Sequence, residues 1–189
     1  NTKLGIQNLT NIVNKFGGDL LRYSTNPQTA KKLSSYMLSK VGDITWHYHA
    51  GINTFVMQTA VRYKTPLVVW GEHGMALMFG MYNADDNVEF TKKHRQEHAM
   101  RGFEPEDVLN DPENTDITEI DLAPYVYPSD EELAEVGVRG IFLGQYDKWN
   151  AEEHVRLDIN EYEFETLQTR QTTYNHHEKI SKAGSSFDR

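Results

Sequence analysis

Aromatic and histidine side chains with polar tips gather in one stretch of this 189-residue chain, GDITWHYHAGINTF. Trp46, His47 and His49 lie within four positions there, and Asn53 follows one turn later if the stretch is helical. Such side chains combine an apolar body with a hydrogen-bonding tip, so they suit the wall of a ligand site better than a core. In an extended strand His47 and His49 would point to one side and favour a metal site. If His49 begins a helix, we expect the rings to hydrogen-bond a ligand.

Two ionisable residues, Glu72 and His73, stand between Gly71 and Gly74, directly after the apolar run LVVW. That run has no polar alternation, which is typical of a parallel strand buried on both faces. Ligands of parallel sheets bind outside the carboxyl ends of the strands, where loops begin. The position therefore favours a binding loop over residues 71–74, although a plain strand-to-helix turn is the alternative for an isolated Gly-x-x-Gly.

A third polar and aromatic cluster follows the next predicted strand, VRGIFL. It contains Tyr146, Asp147, Trp149 and Asn150. Because this cluster also begins at the end of a strand, we expect it near the loop of residues 71–74. From residue types alone, the chain is an α/β protein with a polar cleft lined by residues 46–53, 71–74 and 145–150.

His94 and His98 match the His-x-x-Glu-His pattern of one class of zinc peptidases. Residues four apart share a helix face, so the two rings are able to share a metal. The surrounding sequence, TKKHRQEHAMR, is charged nearly all round. A solvated helix face is therefore the favoured interpretation, and a zinc hydrolase is the alternative.

Helical and strand patterns alternate along the chain, which is typical of an α/β layered sheet. The predicted elements are a helix over residues 4–18, a strand over 19–24, a helix that starts at Asn26 and Pro27, a helix over 49–63 with Ile52, Phe55, Val56 and Ala60 inward, a strand over 67–70, a helix over 85–100, a helix that Ser129 and Glu132 cap, and a strand over 138–143. The irregular stretch 110–121 predicts a boundary between a domain of residues 1–109 and one of residues 110–189.

Composition narrows the classes of function. The formal net charge of -9 argues against general affinity for nucleic acid, because phosphate binding requires a basic surface. No apolar run approaches the roughly 20 residues that span a bilayer. The sequence has no cysteine, which fits a reducing compartment, and we expect the cytoplasm. It also has no Gly-x-Ser-x-Gly elbow, Walker loop or Gly-x-Gly-x-x-Gly fingerprint.

Long motifs of the sequence resemble the N-acetyl sugar amidotransferases of bacterial surface-polysaccharide and nonulosonic-acid synthesis. They are TWHYHAGINTF, YKTPLVVWGEHG, VEFTKKHRQEHAMRGFE, YPSDEELAEVGVRGIFLGQYDKWNA and residues 165–174. The resemblance extends from residue 4 to about residue 174 in the same order. It implies a Rossmann-like α/β fold with five parallel strands, of the PP-loop ATP-pyrophosphatase type. It also implies that ATP, with Mg2+, activates the oxygen of a sugar acetamido group and that ammonia displaces this oxygen to leave an acetamidino group.

The resemblance assigns roles to the clusters above. The loop after the strand lies near the nucleotide and the reacting carbonyl, with Glu72 and His73 as catalytic residues and Gly71 and Gly74 beside the nucleotide. The substrate-binding set is Trp46, His47, His49, Asn53, Tyr146, Asp147, Trp149 and Asn150. The substrate is an amino sugar, nucleotide-linked or nonulosonic, and the ammonia comes from glutaminase and cyclase-like partner subunits. Some relatives carry a Cys-x-x-Cys where this chain has Thr45 and Tyr48, so no metal is expected there.

One departure from the family lies at the amino end. The Ser-Gly-Gly-x-Asp-Ser loop that binds ATP in the family occurs nowhere in the sequence. Two strand-helix segments of about 30 residues each would hold it, so roughly 60 residues are expected to be missing. The chain is then either a fragment of the enzyme or a sugar-binding or regulatory form without ATP chemistry. Because lost strands would expose an apolar sheet edge, we expect the chain alone to be poorly soluble or oligomeric.

Overall fold

The computed structural model describes residues 2–71, 89–146 and 150–166. The chain divides into two compact units, residues 1–22 with 148–189 and residues 23–147. The boundary expected near residue 110 falls inside the second of these units. None of the helices in the described ranges is both long and apolar enough to cross a membrane.

Most of the described elements are helices, and two are short strands. They are α1 (Lys3–Phe16), α2 (Pro27–Val41), α3 (Trp46–Tyr63), β1 (Leu67–Trp70), a π-helix (His94–Ala99), α4 (Pro105–Asn110), α5 (Glu119–Leu122), a 3-10 turn (Ala123–Tyr125), α6 (Asp130–Val136), β2 (Arg139–Phe142), a second 3-10 turn (Leu143–Gln145) and α7 (Ala151–Tyr162).

The first unit pairs α1 with α7. Helix α1 ends at Gly17, whose left-handed φ of 64° confirms the predicted cap. The rings of Phe16 and Tyr162 lie 4.9 Å apart and join the two helices. The strand predicted over residues 19–24 is wrong, because Leu20 and Leu21 lie about half exposed in an irregular segment without a strand partner among the described residues. A short apolar run forms a strand only where another strand is available to pair with it.

Helix α2 begins as the sequence predicts. Asn26 is the N-cap and accepts a hydrogen bond from the backbone of Gln28, and Pro27 occupies the first helical position. Leu33 and Met37 are fully buried on the inner face of this helix. The predicted start of α2, based on these cap residues, is therefore confirmed.

Helix α3 begins at Trp46, three residues before the predicted start at His49. Its predicted inward face is also partly wrong, because Ile52 is 43% exposed and Phe55 and Val56 are only partly buried. Of the predicted inward residues, Ala60 is buried. The buried side is instead the row Trp46, His47, Ala50, Gly51, Thr54, Met57 and Ala60. The helix is rotated so that this row faces its neighbours, which include Tyr125, whose ring would lie 3.2 Å from a Cβ at Gly51.

Strands β1 and β2 form a parallel pair, with Val68 opposite Gly140 and Trp70 opposite Phe142. This mixed, helix-rich α/β architecture with a parallel sheet agrees with the predicted class. The prediction that LVVW is buried on both faces is wrong, because Leu67 is 50% and Val69 52% exposed. One face of the described sheet is covered and the other faces solvent.

Two apolar clusters hold the unit of residues 23–147 together. Helix α3 contributes to both of them. The larger contains Leu33, Met37, Trp46, Ala50, Met100, Val108, Ile117, Leu122 and Tyr125. The smaller contains Met57, Ala60, Val68 and Trp70 and packs on the covered face of the sheet. The amino-terminal half of α3 thus lies in the helical cluster and its carboxyl-terminal half lies on the sheet.

Candidate functional site

The carboxyl ends of β1 and β2 lie side by side, because Trp70 and Phe142 are paired in a parallel register. Gly71 follows the first strand and is exposed. Tyr146 follows the second strand after a single 3-10 turn and is 64% exposed. The structure therefore brings together the starting points of two of the predicted loop clusters at one sheet edge, the position where parallel sheets bind ligands.

Several predicted site residues cannot be placed relative to this edge. Glu72, His73, Gly74, Asp147 and Trp149 lie outside the described residues. Their catalytic, nucleotide and substrate roles stay predictions.

Asn150 belongs to the other compact unit. Its Oδ1 accepts a hydrogen bond of 3.3 Å from the backbone N–H of Glu153, and its Nδ2 donates to the carboxylate of Glu153 at 3.1 Å. These are the bonds of an N-cap residue, and they begin α7. The structure gives this side chain a structural use, and its substrate role stays a prediction.

The third predicted cluster lies on the first turns of α3. Three residues separate this helix from β1, and Met57 and Ala60 pack against Val68 and Trp70. The helix therefore runs back along the strands, in the opposite direction. Its 18 residues span about 27 Å, against about 13 Å for a strand of four residues. Its amino-terminal turns therefore lie beyond the part that packs on the strands, and Trp46 and Ala50 belong to the helical cluster.

Trp46 is a core residue. It is fully buried, its ring lies 5.5 Å from that of Tyr125, and its Nε1 donates a hydrogen bond of 2.8 Å to the carbonyl oxygen of Met100. The expectation that this ring forms a wall of a sugar pocket does not fit its burial, because a ring at 0% exposure offers no face to a ligand. The polar tip of the indole is matched inside the protein instead.

His47 also turns inward. It is 5% exposed, its Nδ1 lies 3.4 Å from the hydroxyl of Ser34 on α2, and its ring lies 4.3 Å from that of Tyr48. Burial lowers the pKa of His47, and the nearby Asp43 carboxylate partly opposes this shift. A buried neutral imidazole is suited to packing α2 against α3 rather than to contacting a substrate.

His49 reaches the surface, with 38% of its side chain exposed. Nδ1 of His49 lies 3.2 Å from Oδ2 of Asp43, and the side chain of Asp43 is 15% exposed. The H-x-H pair is thus separated by the helix, because residues two apart lie on nearly opposite faces of it. The shared metal site that an extended strand would have allowed is not formed.

Asp43 anchors this arrangement. Its Oδ1 accepts hydrogen bonds from the backbone N–H and the hydroxyl of Thr45 at 2.7 and 2.6 Å, and its Oδ2 also lies 3.4 Å from Nε of Arg101. Burial acts to raise the pKa of Asp43, but the hydrogen bonds from Thr45 and His49 outweigh it and hold the pKa at about 2. The carboxylate is therefore ionised throughout the neutral range. Asp43 and Arg101 carry no motif that predicted a site, and the sequence analysis missed both.

Asn53 lies one helical turn after His49. Its Nδ2 donates a hydrogen bond of 2.8 Å to the carbonyl oxygen of His49. The side-chain oxygen, the acceptor end of the amide, accepts no hydrogen bond from the described residues. Asn53 thus lies beside the accessible histidine, and its substrate-binding role stays a prediction.

His94 and His98 are buried, at 6% and 9% exposure. The solvated helix face predicted for them is therefore wrong. His94 lies 5.2 Å from the ring of Phe142 and 4.6 Å from that of Phe90. The wider turn of a π-helix shifts residues relative to an α-helix, so helical spacing alone did not give their burial. Among the described residues no group of three or more potential metal ligands occurs, so the zinc alternative gains no further ligand there.

The π-helix connects the sheet edge to the start of α3. It begins at His94, which contacts Phe142 at the end of β2, and it is followed by Met100, whose carbonyl binds Trp46. Arg101 comes next and adopts a left-handed φ of 56°, which is uncommon for a side chain of this size. This unusual turn carries the guanidinium to Asp43.

A separate cleft of about 330 Å3 lies between residues 92–106 and 126–130. The guanidinium of Arg95 lies 4.5 Å over the ring of Tyr127 and 3.5 Å from the carboxylate of Glu104. At its rim Lys92 lies 3.4 Å from Asp130. Each cation in the cleft is matched by a carboxylate, so the cleft presents no net positive charge to an anion.

The chain matches no protein-family model and no curated protein sequence significantly.

Proposed function

We propose that this chain provides the sugar-binding and ammonia-handling part of an ATP-dependent amidotransferase. The reaction converts the N-acetyl group of an amino sugar into an acetamidino group during bacterial surface-glycan synthesis in the cytoplasm. The identity of the reaction rests on the ordered motifs of the sequence, and the proposed sheet is the five-stranded PP-loop type, of which β1 and β2 would be two neighbouring strands. Ammonia would come from glutaminase and cyclase-like partner subunits.

The observation that carries this proposal is the common edge of β1 and β2. Gly71 and Tyr146 follow Trp70 and Phe142, which are paired in register, so the two loops with the predicted reactive residues start as neighbours. The accessible His49, with its carboxylate Asp43, lies on the first turn of α3, the helix whose later residues Met57 and Ala60 pack on β1. Two of the three predicted clusters thus start side by side, and the proposal is that the third joins them in a site for a sugar and a small nucleophile.

ATP and Mg2+ are co-substrates of the proposed reaction. The family's phosphate-binding loop is absent from the sequence, so the residues of this chain do not fit the phosphates of ATP. We assign to this chain no step at the phosphates. Its proposed tasks are to orient the acetamido group and to bring ammonia to the activated carbon.

The first test is the intact mass of the protein from its native source. A mass well above 21.8 kDa would favour the complete enzyme, because the phosphate-binding loop would then have residues to supply it.

The second test is an activity assay, in which the purified protein is incubated with ATP, Mg2+, ammonium and nucleotide-linked N-acetyl sugars. Release of pyrophosphate, together with a product in which NH replaces the amide oxygen, is the expected result. Absence of both with every sugar tried would overturn the proposal.

The second candidate is a sugar-binding or regulatory protein without ATP chemistry. The 189 residues contain no phosphate-binding loop, and this candidate requires none. Calorimetry distinguishes the two functions: this candidate predicts binding of an N-acetyl sugar without binding of ATP, whereas the enzyme binds both.

A further inference from the structure

We propose that His49, positioned by Asp43, is the general base that accepts a proton from the attacking ammonia. This inference deepens the proposed function and rests on it. It assigns to one imidazole the proton transfer that formation of the new carbon–nitrogen bond requires. Neither the motif resemblance nor the predicted role of this residue in substrate binding specified such a role.

The Asp43 carboxylate determines which ring nitrogen of His49 carries the hydrogen. Nδ1 of His49 lies 3.2 Å from an oxygen of Asp43, and that carboxylate is ionised and accepts hydrogen bonds only. Nδ1 must therefore carry the hydrogen, which leaves the lone pair of the neutral ring on Nε2. Nε2 is then the atom that accepts a proton, and Nδ1 stays bonded to the carboxylate, which stabilises the imidazolium that forms.

Contacts from two segments of the chain fix the Asp43 carboxylate. The two oxygens of Asp43 contact Thr45 twice, His49 once and Arg101 once. Three of these four contacts come from Thr45 and His49, in the loop before α3 and its first turn, and the fourth comes from Arg101 in the turn after the π-helix. A carboxylate fixed from two segments holds the ring in one orientation, which a general base requires.

The ring of His49 is accessible from solvent. Three histidines of residues 23–147 have described side chains that are buried, namely His47, His94 and His98. His49 has 38% of its side chain exposed. Of the described histidines in this unit it is the one whose ring a substrate is able to reach. Proton transfer requires contact within about 3 Å or through one water, so the accessible ring is suited to this role.

The proposed step starts from an amide oxygen that would already carry AMP, supplied by ATP with loss of pyrophosphate. The nitrogen of ammonia bonds to the activated carbon and becomes positively charged, while the π pair of the carbon–nitrogen double bond moves to the sugar nitrogen and later reforms that bond. His49 Nε2 takes one proton from this nitrogen, and AMP leaves with the former amide oxygen and the bonding electron pair. The acetamidino group remains, and the imidazolium of His49 returns its proton to solvent.

The test compares His49→Gln, Asp43→Asn and the control His154→Gln in the full-length protein with ATP, an N-acetyl sugar and ammonium. Pyrophosphate release reports the first step, and the amidino product reports the second. We expect His49→Gln to lower amidino formation about 100-fold or more, the scale of a lost general base, and to lower pyrophosphate release far less. Asp43→Asn should give an intermediate loss, because the ring is then free to adopt the wrong tautomer.

Added imidazole provides the decisive readout. It should restore part of the amidino formation of His49→Gln but not that of the control, since a small base in solution replaces the missing ring. Unchanged amidino formation in His49→Gln would overturn the inference. An equal loss of pyrophosphate and product without rescue would also overturn it, and would assign His49 a binding or structural role. If wild-type protein forms no amidino product, the proposed function itself fails, whatever the variants do.

Discussion

Nε1 of Trp46 donates a hydrogen bond of 2.8 Å to the carbonyl oxygen of Met100, across 54 positions of the sequence. The bond joins the first turn of α3 to the end of the π-helix. His49 and Asp43 lie beside the first partner, and Arg101 directly follows the second. The Trp46–Met100 contact therefore fixes the spacing of the two segments that hold the Asp43 carboxylate.

Trp46→Phe should destabilise the protein by about 1–3 kcal/mol more than Trp70→Phe. Both tryptophans are buried, at 0% and 8% exposure, but no acceptor among the described residues lies within hydrogen-bond distance of Nε1 of Trp70. Trp46→Phe loses a hydrogen bond. Trp70→Phe removes a buried N–H donor that makes no hydrogen bond with the described residues. Urea denaturation of the two variants measures the difference. Equal losses would show that the bond to Met100 does not stabilise the fold.

Gly140→Ala should destabilise the protein by about 1–3 kcal/mol, the cost of overpacking. A Cβ at this position would lie 2.7 Å from Cβ of Phe90 and 3.1 Å from Nε1 of Trp70. The control is Gly18→Ala, because a Cβ there meets no atom within 4 Å. Thermal unfolding of both variants provides the comparison. A Gly140→Ala protein as stable as the control would mean that Phe90 moves away without cost.

Stability should fall as the pH decreases from about 6.5 to about 4, because of His94. Burial first, and the neighbouring His98 second, lower the pKa of His94 from 6.5 to about 4. In this window the unfolded chain binds a proton that the folded protein excludes, so protonation favours unfolding by up to about 3 kcal/mol. The free energy of unfolding, measured against pH for wild type and His94→Gln, should show a smaller slope in the variant. Identical slopes would contradict the assignment.

The chain by itself should self-associate through the open face of its sheet. Leu67 and Val69 point away from the covered face and are about half exposed, and β1 has a strand neighbour on one side only among the described residues. Changing both residues to Thr should reduce the mass seen by light scattering without lowering the melting temperature. Ile120→Thr removes a residue that is 85% exposed elsewhere and serves as the control. A monodisperse monomer of the unmodified chain would refute this expectation.

The sequence by itself determined features that depend on neighbouring residues. Asn26 and Pro27 begin α2, Gly17 ends α1, and Ser129 with Glu132 begins α6, because caps require side chains within about one turn of the helix end. The parallel pairing of β1 and β2 also agreed with the alternation of helices and strands. These features need no knowledge of what lies across the fold.

The tertiary structure alone decided which side chains are buried. The sequence predicts Trp46 and His47 as residues of a ligand site at the surface, yet α2 and the chain around Tyr125 cover them. His94 becomes buried because the π-helix turns it toward Phe142, although its neighbours in the sequence are charged. Distant segments also decided that Asp43 meets Arg101, 58 residues away, and that His49 stays partly exposed whereas His47 is buried. Burial depends on contacts between distant segments, and local sequence patterns do not encode those contacts.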